Sequence, residues 1–239
     1  MFLGHYGVAF ALKRAEPRLS LGTLFLSVQL VDLLWGAAVL LEWERARIVP
    51  GWTAATPLQF IYYPLSHSLL AGALWGLAAA AGYYSWPTRN TWHHARAAAI
   101  VATAVVSHWL LDLIVHVPDL PLASDSSPKL GLGLWESIPA TLAVELLVFG
   151  AGLAVYATYM RGRGKLKVVR LAALAAVLVA IQLAAILGPP PPSMEAVGLS
   201  AIAMSIVFPL AAVWVDRVRH DPDAPRSSKR RSRHRTAGA

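Results

Sequence analysis

Three ionisable residues recur at intervals of four in one apolar stretch of this chain. His108, Asp112 and His116 lie within SHWLLDLIVHVPDLP, residues 107–121, and Asp119 follows close behind them. On a helix this spacing places the first three side chains on one stripe. Because an ionisable side chain in hydrocarbon costs about 2.5 kcal/mol or more, those found in membrane helices usually face the bundle interior or water. The stripe therefore predicts a functional site whose residues are candidate metal ligands.

A structural interpretation of the stripe competes with this functional one. A single histidine or aspartate between packed membrane helices often serves only as a hydrogen-bonding group. For any one residue the two interpretations carry equal weight, but several such residues on one stripe favour a site. The chain has no cysteine, so a metal must be bound by His, Asp or Glu, and that ligand set suits Zn²⁺, Mn²⁺ or Fe²⁺.

The composition places the stripe in a membrane protein. Of the 239 residues, 56% are hydrophobic and 14% are charged, and the mean hydropathy is +0.53, which is too apolar for a soluble domain of this length. We expect an all-α, polytopic integral membrane protein with about six transmembrane helices and a short half-inserted amino-terminal helix. The predicted spans are residues 19–41, 60–84, 95–117, 135–160, 168–187 and 194–215, and the half-inserted helix is residues 2–12.

The net charge of +8 is concentrated at the carboxyl end. Residues 217–239 carry eight Lys or Arg against two Asp, which predicts a disordered tail that contacts anionic lipid. No motif indicating nucleic-acid binding accompanies it. The basic clusters, including RGRGKLKVVR at 161–170, predict that both termini are cytoplasmic. The chain then divides into a membrane domain with the site (1–160), a two-helix membrane scaffold (161–216) and the basic tail.

Helical rise predicts the depth of the ionisable residues. At about 1.5 Å per residue, Asp32 lies roughly 20 Å from the inner edge of the membrane, and His108 and Asp112 lie roughly 20 to 27 Å from it. His67 lies within about 6 Å of the outer edge. Four candidate ligands on three helices therefore share the outer half of the membrane. Glu145, roughly 15 Å below the outer edge, fits this set less closely.

Four short motifs resemble those of one known family. They read GHYG near the start, then QLVDLLWG, PLSHSLL and SHWLLDLI. The family is the predicted membrane-bound metal-dependent hydrolases, small bacterial inner-membrane proteins related to the LexA-regulated hydrolase. Its pattern has a THxxxG start, a PDxD, a THS at a helix start and an HxxxD in a later span. The resemblance covers roughly residues 1–120, leaves the last two spans unmatched, and implies a location in the bacterial cytoplasmic membrane.

The resemblance implies a divalent metal bound by five residues. Carried over motif by motif, the ligands are His5, Asp32, His67, His108 and Asp112. In this chain Gly4 precedes the first histidine where the family has threonine, and the acidic motif has one aspartate instead of two. The missing aspartate places a second metal ion in question. Glu42 or Glu44 would replace that carboxylate if the helix end folds back toward the site.

Such a site would hydrolyse an ester or phosphoester. A bound Zn²⁺ or Mn²⁺, the two favoured ions, lowers the pKa of a water ligand and supplies a hydroxide nucleophile. Asp119, His116 and Glu145 would orient the ligands or act as general base. Ser66, Ser68 and Ser107 flank the histidines and would position water or ligands. The depth of the site favours a lipid-linked or amphipathic substrate that arrives from the bilayer.

Two other classes of function compete with a hydrolase. Chains of His and Asp relay protons or carry divalent cations in transporters, but here the inner half of every predicted span is apolar and inverted repeats are not evident. The same residues would also form a structural polar or metal cluster in a non-catalytic membrane protein. Haem between His67 and His108 is disfavoured because no CxxCH motif occurs.

Overall fold

The computed structural model describes residues 1–86, 91–160 and 164–216, with side chains from residue 94 onward in the second range. The predicted basic tail at 217–239, residues 161–163 of the internal basic cluster and the loop at 87–90 lie outside the described residues. Helices account for most of the remainder. They are α1 (Leu3–Ala15), α2 (Leu21–Val28), α3 (Leu30–Leu40), α4 (Pro64–His67), α5 (Leu69–Ser85), α6 (Thr91–Val115), α7 (Ile138–Met160), α8 (Lys165–Leu187) and α9 (Met194–Asp216).

Four of the described helices are long and apolar enough to cross a membrane. They are His94–Val115 of α6, and the whole of α7, α8 and α9. The pair α2 and α3 is a fifth candidate, and α5 is a shorter apolar helix. The prediction of a helical, membrane-type chain is therefore confirmed, and the predicted bounds of the last four spans agree with these helices to within a few residues.

The first predicted span is broken in the middle. Residues 19–41 were expected to form one helix, but α2 and α3 meet at an angle of 50°. The break falls at Gln29, whose backbone (φ −105°, ψ 3°) belongs to neither helix. Its side-chain amide donates to the hydroxyl of Tyr6 at 3.0 Å. Tertiary contacts therefore hold the break, which no proline or glycine marks in the sequence.

The second predicted span begins later than expected. Residues 60–62 belong to strand β2 (Leu58–Tyr62), which pairs antiparallel with β1 (Arg45–Ile48) in place of a simple loop. Two further short strands, β3 (Leu120–Pro121) and β4 (Lys129–Leu130), also pair antiparallel. The structure therefore adds two short hairpins, in the loops at the histidine end, to the expected all-α fold. Phe60, Ile61 and Tyr62 are of the aromatic and β-branched types that strands favour.

A one-turn helix, α4, joins β2 to α5. Pro64 begins α4, a position where its missing N–H is not needed. Ser68 ends it in an extended conformation, and the Ser68 hydroxyl accepts the backbone N–H of Ala71 at 3.0 Å to start α5. His67 is the last residue of α4, so this break fixes its direction.

The amino-terminal helix α1 is buried inside the bundle. Leu3, Tyr6 and Phe10 have no exposed surface and pack among the aromatic rings of α2, α7 and α9. α1 crosses α7 at Gly7 and Gly152, so closely that a Cβ on Gly7 would stand 2.5 Å from the carbonyl oxygen of Val148. This close approach of two glycines is what admits a helix of 13 residues to the centre of the structure.

The last helix packs on the broken helix pair that carries Asp32. α9 lies against α2 and α3, and Gly36 of α3 meets Gly198 of α9. At the opposite end of α1 from His5, Lys13 is buried and its Nζ lies 2.8 Å from Asp216 Oδ2 at the end of α9. Lys13 and Asp216 each lie one residue beyond the predicted helical segments 2–12 and 194–215, and the structure brings them together as a buried ion pair.

Candidate metal centre

Five side chains from four helices meet at the amino end of α1. His5 comes from α1, Asp32 from α3, His67 from α4, and His108 and Asp112 from α6. These are the five residues that the family resemblance implied. The rings of His5 and His108 stack, with centroids 3.8 Å apart and planes inclined by 4°. Asp112 lies at the centre, with one carboxylate oxygen toward His5 and the other toward His67 and His108.

The donor atoms of the cluster lie close enough to one another that groups of three could hold a metal ion. His Nε2 to carboxylate oxygen separations are 3.1 Å for His108–Asp112, 3.2 Å for His5–Asp112, 3.5 Å for His67–Asp32, 3.6 Å for His108–Asp32 and 3.7 Å for His67–Asp112. Two ligand atoms that are each about 2.1 Å from an ion stand about 3.0 to 3.4 Å apart at coordination angles of 90 to 109°. Two overlapping triads, His5–Asp32–His108 and His67–His108–Asp112, have all three donor atoms within 4.8 Å of one another.

Hydrogen bonds on the far side of two rings aim their Nε2 atoms into the cluster. The Nδ1–H of His108 donates to the carbonyl oxygen of Val28 at 2.7 Å. Val28 ends α2, so the break before α3 places this acceptor beside α6. The Nδ1 of His67 lies 2.8 Å from the hydroxyl of Ser66. A histidine whose Nδ1 carries the proton presents its Nε2 lone pair to a metal.

Three buried ring nitrogens of the cluster have no hydrogen-bond partner among the described residues. They are Nδ1 and Nε2 of His5 and Nε2 of His108. The Nε2 atoms approach Asp112, but without the angles that a hydrogen bond requires. A buried polar atom left unpaired costs about 1 to 3 kcal/mol. Lone pairs held unpaired in this way fit a site built for a cation.

Access to the cluster runs past Asp32. The side chain of Asp32 is 27% exposed, whereas His5, His67, His108 and Asp112 are exposed by 4% or less. Asp112 also contacts the α-ammonium group of Met1 through Oδ1. A ligand or water would therefore reach the cluster on the Asp32 side.

His116 and Asp119 form a second layer beside the cluster. Asp119 Oδ1 accepts the Nδ1–H of His116 at 2.9 Å and the hydroxyl of Tyr63 at 2.8 Å. His116 Nε2 then points inward, 3.9 Å from Asp112 Oδ2. Burial, followed by the neighbouring Asp119 carboxylate, raises the pKa of Tyr63, so its hydroxyl stays a donor. The sequence indicated His116 and Asp119 but gave no sign of Tyr63.

Glu145 lies away from the histidines. Its carboxylate accepts the backbone N–H of Phe2 at 3.0 Å and of Gly4 at 2.9 Å, and the amide of Gln182 at 3.4 Å. It therefore binds the first turn of α1, one residue from His5. These contacts show Glu145 fixing the position of α1. To act as the expected general base, Glu145 would have to reach past the first turn of α1.

The three flanking serines and the two loop glutamates have separate placements. Ser66 contacts His67, whereas the Ser68 hydroxyl caps α5 and the Ser107 hydroxyl donates to the carbonyl of Ala104 within α6. The end of α3 does fold back, and it carries Glu44 to Ser66, not into the donor cluster. Glu42 is exposed.

Comparison with protein-family models, with curated proteins and with solved structures finds no match to this chain.

Proposed function

We propose that the protein is a membrane-embedded metal-dependent hydrolase of the type that its four motifs resemble. One divalent ion, Zn²⁺ or Mn²⁺, is held by His5, Asp32, His67, His108 and Asp112. The observation that carries the proposal is the pair of buried Nε2 atoms of His5 and His108, which both face Asp112 without forming a hydrogen bond, with Asp32 3.6 Å from His108 Nε2. A purely structural hydrogen-bonded cluster would pair these atoms, because leaving them unpaired destabilises the fold.

The chemistry divides between the ion and the surrounding side chains. A divalent ion supplies Lewis-acid polarisation and a water of lowered pKa. His116 accepts or returns a proton at Nε2, because Asp119 holds the other nitrogen protonated. The burial of the histidines keeps bulk water out, and the partly exposed Asp32 marks the side from which an ester or phosphoester enters.

The proposed topology has six spans in the cytoplasmic membrane of a bacterial cell, with the carboxyl terminus in the cytoplasm. The spans are the α2–α3 pair, α5, α6, α7, α8 and α9. The expected cytoplasmic amino terminus is not kept, because Met1 contacts Asp112 in the cluster and α1 runs from there toward the cytoplasmic end of α9. α5 has 17 residues, which at about 1.5 Å each gives about 26 Å, close to the hydrocarbon thickness of about 30 Å. The cluster then lies toward the outer leaflet, which favours a lipid-linked or amphipathic substrate.

Metal content tests the proposal directly. The detergent-purified chain is analysed by inductively coupled plasma mass spectrometry beside His108→Ala and Asp112→Ala. His94→Ala is the matched control, because His94 lies on the same helix as His108 but at its other end. We expect one equivalent of transition metal in wild type and in the control, and loss of the metal in both site variants.

Two results would decide against the proposal. Wild type that binds no metal after reconstitution with Zn²⁺ and Mn²⁺ would return the cluster to proton relay or to structural hydrogen bonding. Retention of metal by both site variants would place the ion elsewhere in the chain. If the metal is lost as expected, hydrolysis of phosphoesters and lipid-linked esters by wild type, and its absence in Asp112→Ala, identifies the reaction.

A further inference from the structure

The chain reverses sharply after α3 and brings a carboxylate under α4. The backbone N–H groups of Trp43 and Glu44 both donate to the carbonyl of Ala38, at 2.8 and 3.2 Å. Between them and the helix, Glu42 has a positive φ of 60°, a conformation that costs energy in a residue other than glycine. The strained turn directs Glu44 inward, where it is 1% exposed although it lies in a loop between α3 and β1.

Glu44 binds a single residue through both of its oxygens. Glu44 Oε1 accepts the backbone N–H of Ser66 at 2.9 Å, and Oε2 accepts the Ser66 hydroxyl at 2.5 Å. The Ser66 oxygen lies 2.8 Å from Nδ1 of His67. Since the one hydroxyl proton of Ser66 is given to the carboxylate, the serine oxygen must accept from Nδ1–H of His67. The His67 proton is thereby fixed on Nδ1, and its Nε2 lone pair faces Asp32 and Asp112.

Among the described residues, Glu44 also has no partner of opposite charge. The ion pairs formed within the described part of the chain include none made by Glu44. A buried carboxylate without a paired cation is costly. A cation bound by His67, two hydrogen bonds away, would compensate this charge.

We propose that Glu44, acting through Ser66, is a positioning residue for His67 that sets its tautomer and strengthens it as a metal ligand. The proposal rests on the metal centre proposed above. His108 is oriented by a backbone carbonyl and His116 by a carboxylate. His67 alone among these three is oriented by a serine whose oxygen is made a better acceptor by a carboxylate behind it. Such outer partners typically change metal affinity by about 10- to 100-fold.

The test measures Co²⁺ affinity of the full-length chain in detergent, by its visible absorption and by competition with a chelator. The variants are Glu44→Gln, Ser66→Ala and the double variant, with Glu42→Gln as the matched control on the same turn. We expect affinity to fall by about 10- to 100-fold in each single variant and to be unchanged in the control. The double variant should lose no more than Ser66→Ala, because Glu44 acts only through Ser66. Ser66→Thr keeps the hydroxyl and should restore affinity.

The outcomes separate this inference from the proposed function. If wild type binds no Co²⁺, the metal centre and the positioning role are both overturned. If wild type binds Co²⁺ and the two single variants bind it within about twofold of wild type, the positioning role alone is overturned. Losses that add in the double variant, together with a lowered melting temperature of the metal-free protein, would identify Glu44 as a structural residue only.

Discussion

The two ends of α1 hold two buried polar clusters that differ in how their atoms are paired. At the carboxyl end, Lys13 Nζ lies 2.8 Å from Asp216 and donates to the carbonyls of Pro17 and Leu19 at 3.0 and 2.5 Å. At the amino end, both ring nitrogens of His5 lack a hydrogen-bond partner within the described residues. The two side chains belong to one helix and are equally inaccessible to solvent.

This difference separates stability from function along one helix. The Lys13 cluster joins α1 to the end of α9 and to the start of α2, since Asp216 also accepts the N–H of Leu21 at 3.2 Å. The polar groups of the Lys13 cluster have hydrogen-bond or ion-pair partners, and these contacts account for the burial of Lys13. The His5 cluster gathers unpaired atoms that cost about 1 to 3 kcal/mol each, a cost that the ion of the proposed metal centre would compensate. We therefore expect substitutions at the two ends to have opposite effects.

The largest expected effect on stability is at the Lys13 end. Lys13→Met leaves Asp216 without its closest cation, and breaking a buried pair costs about 3 to 5 kcal/mol. We expect about 3 kcal/mol, the lower figure, because Lys167 Nζ lies 3.7 Å from the same carboxylate. Titration with a denaturing detergent measures the loss in free energy of unfolding. Metal content at low temperature should equal that of wild type.

Arg14→Met provides the control for Lys13→Met, because Arg14 is the exposed neighbour on the same helix. It should leave stability unchanged, as substitutions of exposed residues usually do. A Lys13→Met protein that is as stable as wild type but has lost its metal would contradict this division of roles. It would mean that the Lys13 cluster contributes to metal binding.

A smaller effect of opposite sign is expected at the His5 end. His5→Leu removes two unpaired nitrogens and fills the space with apolar atoms, so the metal-free protein should be more stable by about 1 kcal/mol. Affinity for Zn²⁺ should fall by about 100-fold or more, since a direct ligand matters at least as much as an outer partner. Unfolding of the metal-free protein and chelator competition measure the two quantities. A clear loss of stability in the metal-free variant would show that His5 supports the fold instead.

The sequence predicts the two clusters unequally, for a physical reason. The spacing of His108 and Asp112 is local, and helical rise alone places Asp32 and His67 at a similar depth, so these four members of the histidine cluster can be predicted. His5 was predicted only through the resemblance of GHYG to the family's first motif. The Lys13 cluster cannot be predicted from the sequence. Asp216, the partner of Lys13, is about 200 residues away in the chain, and nothing local distinguishes Lys13 from a cytoplasmic flanking residue.

The elements around the site were predicted less well than its ligands. The break at Gln29 depends on contacts with Tyr6 and with α6, and those contacts exist only after folding. The pairing of β1 with β2 likewise depends on two short segments meeting. Both features position site residues. The break at Gln29 leaves the Val28 carbonyl free to accept from His108, and the β1–β2 pairing fixes the start of α4, which carries His67.

Tyr63 provides a further test. Its cluster with His116 and Asp119 contains both paired and unpaired atoms, and in this respect lies between the two ends of α1. Asp119 Oδ1 has two donors, Tyr63 and His116, whereas its buried Oδ2 has no hydrogen-bond partner in the described ranges. Tyr63→Phe removes one hydrogen bond to the Asp119 carboxylate and should lower the free energy of unfolding by about 1.5 kcal/mol at neutral pH, with metal content unchanged.

The pH dependence of this difference tests the cause. Burial, and then the charge of Asp119, raises the pKa of Tyr63 above its ordinary value of 10.0. The unfolded chain therefore ionises first, and the stability that Tyr63 contributes is fully present below about pH 10 and is lost as the pH rises further. The gap between wild type and Tyr63→Phe should accordingly narrow above pH 10 in paired melting curves. A gap that stays constant to pH 11 would mean that Tyr63 ionises equally in both states, and its hydroxyl would then not be the buried donor that keeps Asp119 oriented toward His116.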